Sequence, residues 1–191
     1  MKFDLCVIGS GPAGQNAAIS AAKLDKKVIV IEKDSYGGLC QNRGTIPSKT
    51  LRDTAFFMSD FKGRTKHGVS STASNNIDLD RVKKRLEAIV MEGQESIFRN
   101  LDKNHIELRT GTASFINKNT IIVNDGQGGT ETIEADYFLI AVGTSPNTPE
   151  NIFFDHQYIY DSNSILKLNF AARRMTRSEE RRVGKECRSR W

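Results

Sequence analysis

The hydrophobic and polar positions of the first 32 residues predict a strand, a helix and a second strand. Phe3–Ile8 is apolar except for Asp4, and Val28–Ile31 is a second short apolar run. Short apolar runs bounded by turn residues are typical of buried strands. Small residues dominate Gln15–Leu24, which lies between the runs and predicts a helix packed close to a sheet. This order predicts a βαβ unit built on a parallel sheet.

A glycine-rich turn, Gly9-Ser10-Gly11-Pro12-Ala13-Gly14, separates the first strand from the helix, and Glu32 follows the second strand. In dinucleotide-binding units, the first glycine permits a tight turn and the second lets the backbone approach a pyrophosphate. The third glycine lets the helix pack against the sheet, and an acidic residue about 20 positions later binds ribose hydroxyls. The helix start near Pro12 offers free N–H groups and a positive dipole end to phosphates. The sequence therefore predicts a site for an ADP-containing dinucleotide.

The apolar pattern after residue 49 predicts two helices joined by a polar loop. Thr50–Phe61 carries apolar residues near one helical face, and Lys62–Asn76 is rich in Gly, Ser and Thr, as loops are. Asp78–Lys103 is amphipathic, because apolar residues recur in steps of three and four. These residues are Val82, Leu86, Ile89, Val90, Ile97 and Leu101.

Beyond residue 104 the pattern changes to a period of two, which predicts strands. The four short candidates are His105–Arg109, Gly111–Ile116, Thr120–Asn124 and Thr130–Glu134. The glycine-rich segment Asp125–Gly129 predicts a hairpin turn between the last two. Ala135–Val142 is apolar except for Asp136 and predicts a buried strand, and the following Gly143-Thr144-Ser145-Pro146 turns the chain away.

A distinctive string follows Glu32 and reads Gly37-Gly38-Leu39-Cys40-Gln41-Asn42-Arg43-Gly44-Thr45-Ile46-Pro47-Ser48-Lys49. Together with the glycine turn, it resembles the pyridine nucleotide–disulfide oxidoreductases, a family of flavoproteins. In that family the string usually reads G-G-x-C-x-x-x-G-C-x-P-S-K, and its two cysteines form a redox disulfide beside the flavin. The resemblance covers about Lys2–Leu168 and implies FAD as the cofactor.

Thr45 stands where the family has its second cysteine. Disulfide exchange needs one thiol that attacks and one that resolves, so Cys40 cannot follow the family's usual route alone. The Gly-Thr-Ile-Pro-Ser-Lys variant and the segment Ile159–Leu166 resemble the soluble pyridine nucleotide transhydrogenase branch of the family. That branch passes hydride from NADPH through FAD to NAD⁺ and needs no disulfide.

The resemblance implies roles for individual residues. Cys40 and Lys49 are the implied catalytic neighbours of the flavin: a lowered pKa would make Cys40 a thiolate, and the charge of Lys49 would stabilise a reduced, anionic isoalloxazine. An inert Cys40 remains the alternative. The segment Gly111-Thr112-Ala113 is implied to contact adenine through its backbone. The full cofactor-binding set predicted is Gly9, Gly11, Pro12, Ala13, Gly14, Glu32, Lys33, Gly38, Cys40, Lys49, Ala113, Ala141, Gly143 and Thr144.

Charge and composition exclude several classes. The formal net charge is +5 over 191 residues, but residues 171–191 hold eight Lys or Arg against three Glu, so residues 1–170 are neutral. The body of the chain therefore gives no electrostatic reason to expect a nucleic acid partner. Cys and His are too scattered for a metal site. No apolar stretch approaches the roughly 20 residues of a membrane span, and Met1 leads directly into a strand, so we expect a cytoplasmic protein.

The segment from Arg177 to Trp191 resembles the translation of a sequencing-library adapter rather than the family. The alternative is a genuine basic tail that is a poor core former. We predict residues 1–168 to be the family's FAD-binding part and residues 169–191 to lie outside it. A second glycine fingerprint for the nicotinamide nucleotide is absent, so we expect an incomplete domain that alone binds FAD weakly or not at all and has no transhydrogenase activity.

The predicted fold is α/β: a Rossmann-like, three-layer FAD-binding domain with a parallel sheet. A helical excursion over about residues 50–103 and an antiparallel β-meander over about 105–135 complete it. The predicted function is that of an FAD-dependent oxidoreductase, NAD(P)⁺ transhydrogenase, whose parent enzyme is a homo-oligomer acting on nicotinamide nucleotides. Two alternatives stay open: a dihydrolipoamide dehydrogenase-like or other FAD/NAD(P) oxidoreductase, and a non-enzymatic dinucleotide-binding module.

Overall fold

The computed structural model describes residues 2–64, 78–170, 172 and 174–176, with the backbone alone at 58–64. Its helices are α1 (Pro12–Ala22), α2 (Gly38–Asn42), α3 (Thr45–Arg64) and α4 (Leu79–Lys103). Its strands are β1 (Lys2–Ile8), β2 (Val28–Glu32), β3 (Glu107–Thr110), β4 (Thr112–Asn117), β5 (Thr120–Asn124) and β6 (Thr130–Ile140). A 3₁₀ turn spans Ser164–Lys167.

The six described strands form one sheet in the order β3-β2-β1-β6-β5-β4. The pairs β3–β2, β2–β1 and β1–β6 are parallel, whereas β6–β5 and β5–β4 are antiparallel. From β1 the chain adds β2 and β3 on one side, and later adds β6 on the other. The strand order therefore reverses at β1, and a crevice forms at the carboxyl ends of the strands on either side of such a point.

The predicted βαβ unit and parallel sheet are confirmed, but the predicted meander has different members. The segment His105–Arg109 was expected to join the antiparallel strands, and instead β3 pairs in parallel with β2. Thr130–Glu134 is not a separate strand, because it continues through Ile140 as β6. The first half of β6 pairs with β5 and the second half with β1, so one strand serves both parts of the sheet. Periodicity cannot reveal this, since it carries no information on a strand's partners.

Two apolar clusters give the fold its layers. On one face of the sheet, Val28 and Val30 of β2 pack with Leu101 of α4 and with Ala18 of α1. On the other face, Ile29 and Ile31 of the same strand pack with two residues of β5, Ile121 and Val123. Since β5 is not adjacent to β2 in the sheet, the antiparallel part folds back over this face. Helices, parallel sheet and antiparallel strands are thus three layers, and β2 is buried on both sides.

The helical excursion agrees with the amphipathic pattern. Asp78 caps α4 by accepting a hydrogen bond from the backbone N–H of Arg81 at 3.1 Å. Leu86 and Leu101 on its apolar face are buried. The helix α3 extends to Arg64, past the predicted start of the loop at residue 62, and the rest of that loop lies outside the described residues.

The second half of β6 is less buried than its apolar sequence predicts. Tyr137 and Ile140 are exposed by 74% and 63%, and Val142, two residues beyond the strand, is exposed by 65%. From Asp136 to Ile140, β1 is the only described strand that pairs with β6. An apolar strand is buried only where another layer covers it, and nothing in the described part of the chain covers these side chains.

Candidate dinucleotide-binding cleft

A cleft of about 820 Å³ opens at the carboxyl ends of the parallel strands, where the strand order reverses. Three backbone hydrogen bonds tie its walls together beyond the regular ladders. Gly9 N–H donates to Ile31 O at 2.7 Å, Ala141 N–H to Ile8 O at 2.8 Å and Gly111 N–H to Glu32 O at 2.8 Å. The loops that follow four strands are therefore held at one edge of the sheet, where α/β proteins bind their ligands.

Gly9 and Gly14 let the chain turn and pack closely beside this cleft. Gly9 has φ +105°, a conformation that disfavours other residues, and a Cβ there would lie 2.4 Å from Ala141 O. A Cβ on Gly14 would lie 2.0 Å from Gly9 O, so α1 can approach β1 only because this residue has no side chain. Gly14 does not line the cleft, which agrees with its predicted packing role.

The start of α1 presents an open anion-binding end to the cleft. Gly11, Pro12 and Ala13 all line it, and the first intrahelical bond runs from Gln15 N–H to Gly11 O. The first turn has no acidic residue, and Gly11 provides no side-chain cap. Ala13 is the second residue of α1, so its N–H has no acceptor within the helix and forms part of the positive end of the helix dipole. A Cβ on Gly11 would meet no atom within 4 Å, so this residue leaves open space where a ligand can approach the backbone.

Glu32 is a buried acid whose position is fixed by hydrogen bonds. Its Oε2 accepts from the Ser10 hydroxyl at 2.6 Å and from Ser10 N–H at 2.9 Å. Its Oε1 accepts from Asp34 N–H at 3.0 Å. A carboxylate has about four acceptor positions, so Glu32, which lines the cleft, retains capacity for one more donor such as a ribose hydroxyl.

Ser10 joins the glycine turn to the segment that carries Cys40, a link that sequence reasoning missed. The side chain is fully buried, and its oxygen accepts a hydrogen bond from Gly37 N–H at 3.1 Å while donating to Glu32. A hydroxyl can do both at once, since it carries one donor and two lone pairs. The spacing of 27 positions between Ser10 and Gly37 gives no sign of this contact.

The string around Cys40 folds against the glycine turn. A Cβ on Gly38, which has φ +58°, would lie 3.1 Å from Gly11 Cα. Cys40 is partly buried and lines the cleft, and Thr45 lines it also. Lys49 is exposed on α3 and is not among the residues that line the cleft. The predicted pair therefore separates here: Cys40 stands in the cleft and Lys49 outside it.

The cleft gathers the other predicted residues and adds some that the sequence did not indicate. Lys33, Ala113, Ala141, Gly143 and Thr144 line it, as expected. The additional polar lining residues are Asp34, Ser35, Asn42, Arg43, Ser145 and Asn163. Arg43 and Asp34 form an ion pair at the rim. Asn163 lies in the Ile159–Leu166 segment, whose resemblance to the family was the one signal that pointed to it.

Asp161 accepts the hydrogen bonds that order the start of the 3₁₀ turn, next to Asn163 in the cleft. Its Oδ1 accepts from Ser164 N–H at 2.6 Å, from the Ser164 hydroxyl at 2.7 Å and from Asn163 N–H at 3.0 Å. The hydrogen bond from Ser164 N–H, with that from the Ser164 hydroxyl, holds the pKa of Asp161 below its ordinary value. The ionised carboxylate is therefore the form that orders this turn.

The described residues include no cluster of three or more His, Cys, Asp or Glu that could hold a metal ion. The helices within them are too short or too polar to cross a membrane.

Comparison with known proteins agrees with this geometry. The family model for pyridine nucleotide–disulphide oxidoreductases matches residues 3–177. Soluble pyridine nucleotide transhydrogenases from Mycobacterium tuberculosis (strain ATCC 25177 / H37Ra) and Aliivibrio fischeri are 37% and 38% identical over 169 and 167 residues, each covering 87% of this chain. The chain spans about a third of the length of these relatives, 36% and 35%. Among solved structures, the HOCl-induced flavoprotein disulfide reductase RclA from Escherichia coli has a TM-score of 0.68 at 28% identity, over 86% of this chain and 34% of that one.

The fold and the cleft define a Rossmann-like domain of the FAD-binding type. The chain belongs to the pyridine nucleotide–disulfide oxidoreductase family. Its predicted resemblance to the soluble pyridine nucleotide transhydrogenases is confirmed.

Proposed function

We propose that the cleft binds FAD and that this chain is the flavin-binding part of an NAD(P)⁺ transhydrogenase. The observation that carries the proposal is the open cradle formed by Gly11 and the start of α1, with the fixed Glu32 carboxylate beside it. A pyrophosphate fits the first feature and a ribose hydroxyl fits the second. Bound FAD would supply the chemistry of accepting a hydride from one nicotinamide nucleotide and giving it to another.

Each part of the chain has a task in this proposal. The backbone N–H of Ala13 and the α1 dipole would bind the pyrophosphate, and Glu32 would orient the adenosine ribose. Ala113 would lie along the adenine. Cys40, which lines the cleft, would stand beside the flavin, whereas Lys49 would reach the reactive end only from outside the described cleft. The roles of Cys40 and Lys49 remain predictions.

A transhydrogenase is favoured over a disulfide reductase by the residue at position 45. Both Cys40 and Thr45 line the cleft, so the site offers one thiol where disulfide exchange needs two. The other cysteine of the described residues, Cys6, is fully buried in β1. A non-enzymatic nucleotide module has less support, since it requires no thiol in the cleft. Nicotinamide nucleotides as substrates, a cytoplasmic location, homo-oligomeric assembly and the division at residue 168 stay predictions.

The experiment uses the protein expressed from its complete gene. We expect purified protein to show a flavin absorption spectrum and to transfer hydride from NADPH to a thionicotinamide analogue of NAD⁺. Lipoamide reduction is the matched control reaction, and we expect none. A flavin spectrum with lipoamide turnover would overturn the transhydrogenase assignment, and absence of flavin binding would overturn the whole proposal.

A further inference from the structure

The position of α2, which carries Cys40, depends on contacts with α4. This helix has five residues, too few for a helix to be stable by itself. Gly37 and Gly38 at its start have φ +95° and +58°. Because glycine adopts many backbone conformations, these two residues do not by themselves fix the orientation of α2. Tertiary contacts must therefore hold α2 in place.

Gly93 supplies the first of these contacts by having no side chain. It lies inside α4, where glycine is less favourable than alanine, so its presence there calls for a packing reason. A Cβ at this position would lie 2.0 Å from Nε2 and 2.5 Å from Cδ of Gln41. Gln41 is buried, and its Nε2 donates a hydrogen bond to Val90 O at 3.0 Å. The space left by Gly93 thus holds the Gln41 carboxamide against the backbone of α4.

Asn42 adds a second connection beside the first. Its Oδ1 accepts a hydrogen bond from Gln94 Nε2 at 2.5 Å. Its Nδ2 donates to the carbonyl oxygens of Ser35, Tyr36 and Gly38 at 3.1, 3.1 and 2.9 Å. Through this one side chain, α4 is linked to the whole turn that leads into α2.

We propose that Gly93 and Gln41 are positioning residues that together set where Gly38 and Cys40 stand in the cleft. The gap at Gly93 admits the Gln41 side chain, and the resulting contact fixes α2 beside the glycine turn. The inference that the position of α2 matters for flavin binding rests on the proposed function. The contact between Gln41 and Gly93 does not depend on it. A displacement of α2 would also change its spacing from Gly11, which is already close to Gly38.

The test uses a pair of substitutions whose effects should cancel. Gly93→Ala places a methyl group in the space that the Gln41 carboxamide occupies, and Gln41→Ala empties that space. In the double variant the new methyl group enters the vacated space. Ser96→Ala, at an exposed position three residues along the same helix, controls for the effect of alanine on the helix.

The readout is the alkylation rate of each cysteine, measured by mass spectrometry of its peptide in the protein expressed from its complete gene. We expect Gly93→Ala and Gln41→Ala each to speed alkylation of Cys40 by about tenfold, because the local opening of α2 becomes easier. Cys6 is fully buried in β1 and reports global unfolding, so its rate should stay unchanged. The double variant should return the Cys40 rate to within about threefold of the starting protein.

The outcomes separate this proposal from its alternatives. Equal acceleration at Cys6 and Cys40 would mean a merely structural role and would overturn it, as would a double variant no better than Gly93→Ala. Flavin affinity is measured on the same samples. It should fall in the variants in which Cys40 is alkylated faster and recover in the double variant. If the starting protein binds no flavin while the alkylation pattern holds, the proposed function fails and the positioning contact stands. A Cys40 rate unchanged in both single variants would refute the contact whatever the flavin result.

Discussion

Alanine at Gly11 and alanine at Gly14 should affect different properties, although the two residues belong to one turn. A Cβ on Gly14 would lie 2.0 Å from Gly9 O and 3.2 Å from Val7 Cγ1. Relief of that clash requires α1 to move by about 1.5 Å, since carbon makes good contacts at about 3.5 Å or more. Alanine is about 1 kcal/mol better than glycine in a helix interior, but overpacking against backbone typically costs about 1–3 kcal/mol or more.

We therefore expect Gly14→Ala to lower the free energy of unfolding by about 2 kcal/mol, because the clash outweighs the gain in helix propensity. For a chain of this size, that loss corresponds to a fall in Tm of about 4–8 °C. The measurement is urea unfolding of the flavin-free protein followed by circular dichroism.

Gly11→Ala is the matched control. Gly11 has φ −64° and ψ 176°, which any residue adopts, and a Cβ there meets nothing within 4 Å. Alanine is a poorer N-cap than glycine, which destabilises the folded chain, but it also lowers the entropy of the unfolded chain, which stabilises the folded one. The two effects oppose each other, so the free energy of unfolding should change by less than about 0.5 kcal/mol. FAD affinity, followed by quenching of flavin fluorescence, should fall by about tenfold or more, equivalent to about 1.4 kcal/mol, because the methyl group occupies the approach to the pyrophosphate. Wild-type affinity in this variant, or a stability loss as large as that of Gly14→Ala, would refute the reasoning.

Three further predictions concern the side chains of Glu32, Asp161 and Cys6. Glu32→Gln should lower the unfolding free energy by about 2 kcal/mol and weaken FAD binding, since an amide replaces an acceptor of charge-assisted hydrogen bonds, and chemical denaturation with flavin titration checks both. The pKa of Asp161 is lowered in the folded chain, so its contribution is present above about pH 4 and is lost as the pH falls through the folded value. The protection of the Asn163 and Ser164 amides against hydrogen exchange, relative to an unstructured chain, should be lost once Asp161 is protonated, and in Asp161→Asn it should already be reduced at pH 7. Burial raises the pKa of Cys6 to about 12, so stability should fall by up to about 1.4 kcal/mol per unit as the pH rises above about 9, and a Cys6→Ala variant should lack this slope in alkaline urea unfolding.

Exposure of the second half of β6 is the main place where the apolar pattern and the structure differ. The pattern predicts burial for Tyr137 and Ile140, and the described residues leave both in contact with solvent. Apolarity in a strand predicts that a covering layer is favourable, and it does not say which part of a chain provides that layer. Among the described residues, Phe115 of β4 packs against Phe138 at a ring-centroid distance of 5.0 Å, whereas Tyr137 and Ile140 in the same half of β6 have no such cover.

Local patterns were sufficient for the βαβ unit, the glycine turn, the acidic residue at the end of β2 and the amphipathic α4. Residues close together in the chain define each of these features, either through a periodic apolar pattern or through a short motif. Contacts between distant positions were decided by the tertiary structure alone. Ser10 meets Gly37 and Gln41 enters the gap at Gly93 only after α1, α2 and α4 have packed. Such contacts depend on how elements stack, and no periodicity in the sequence records that.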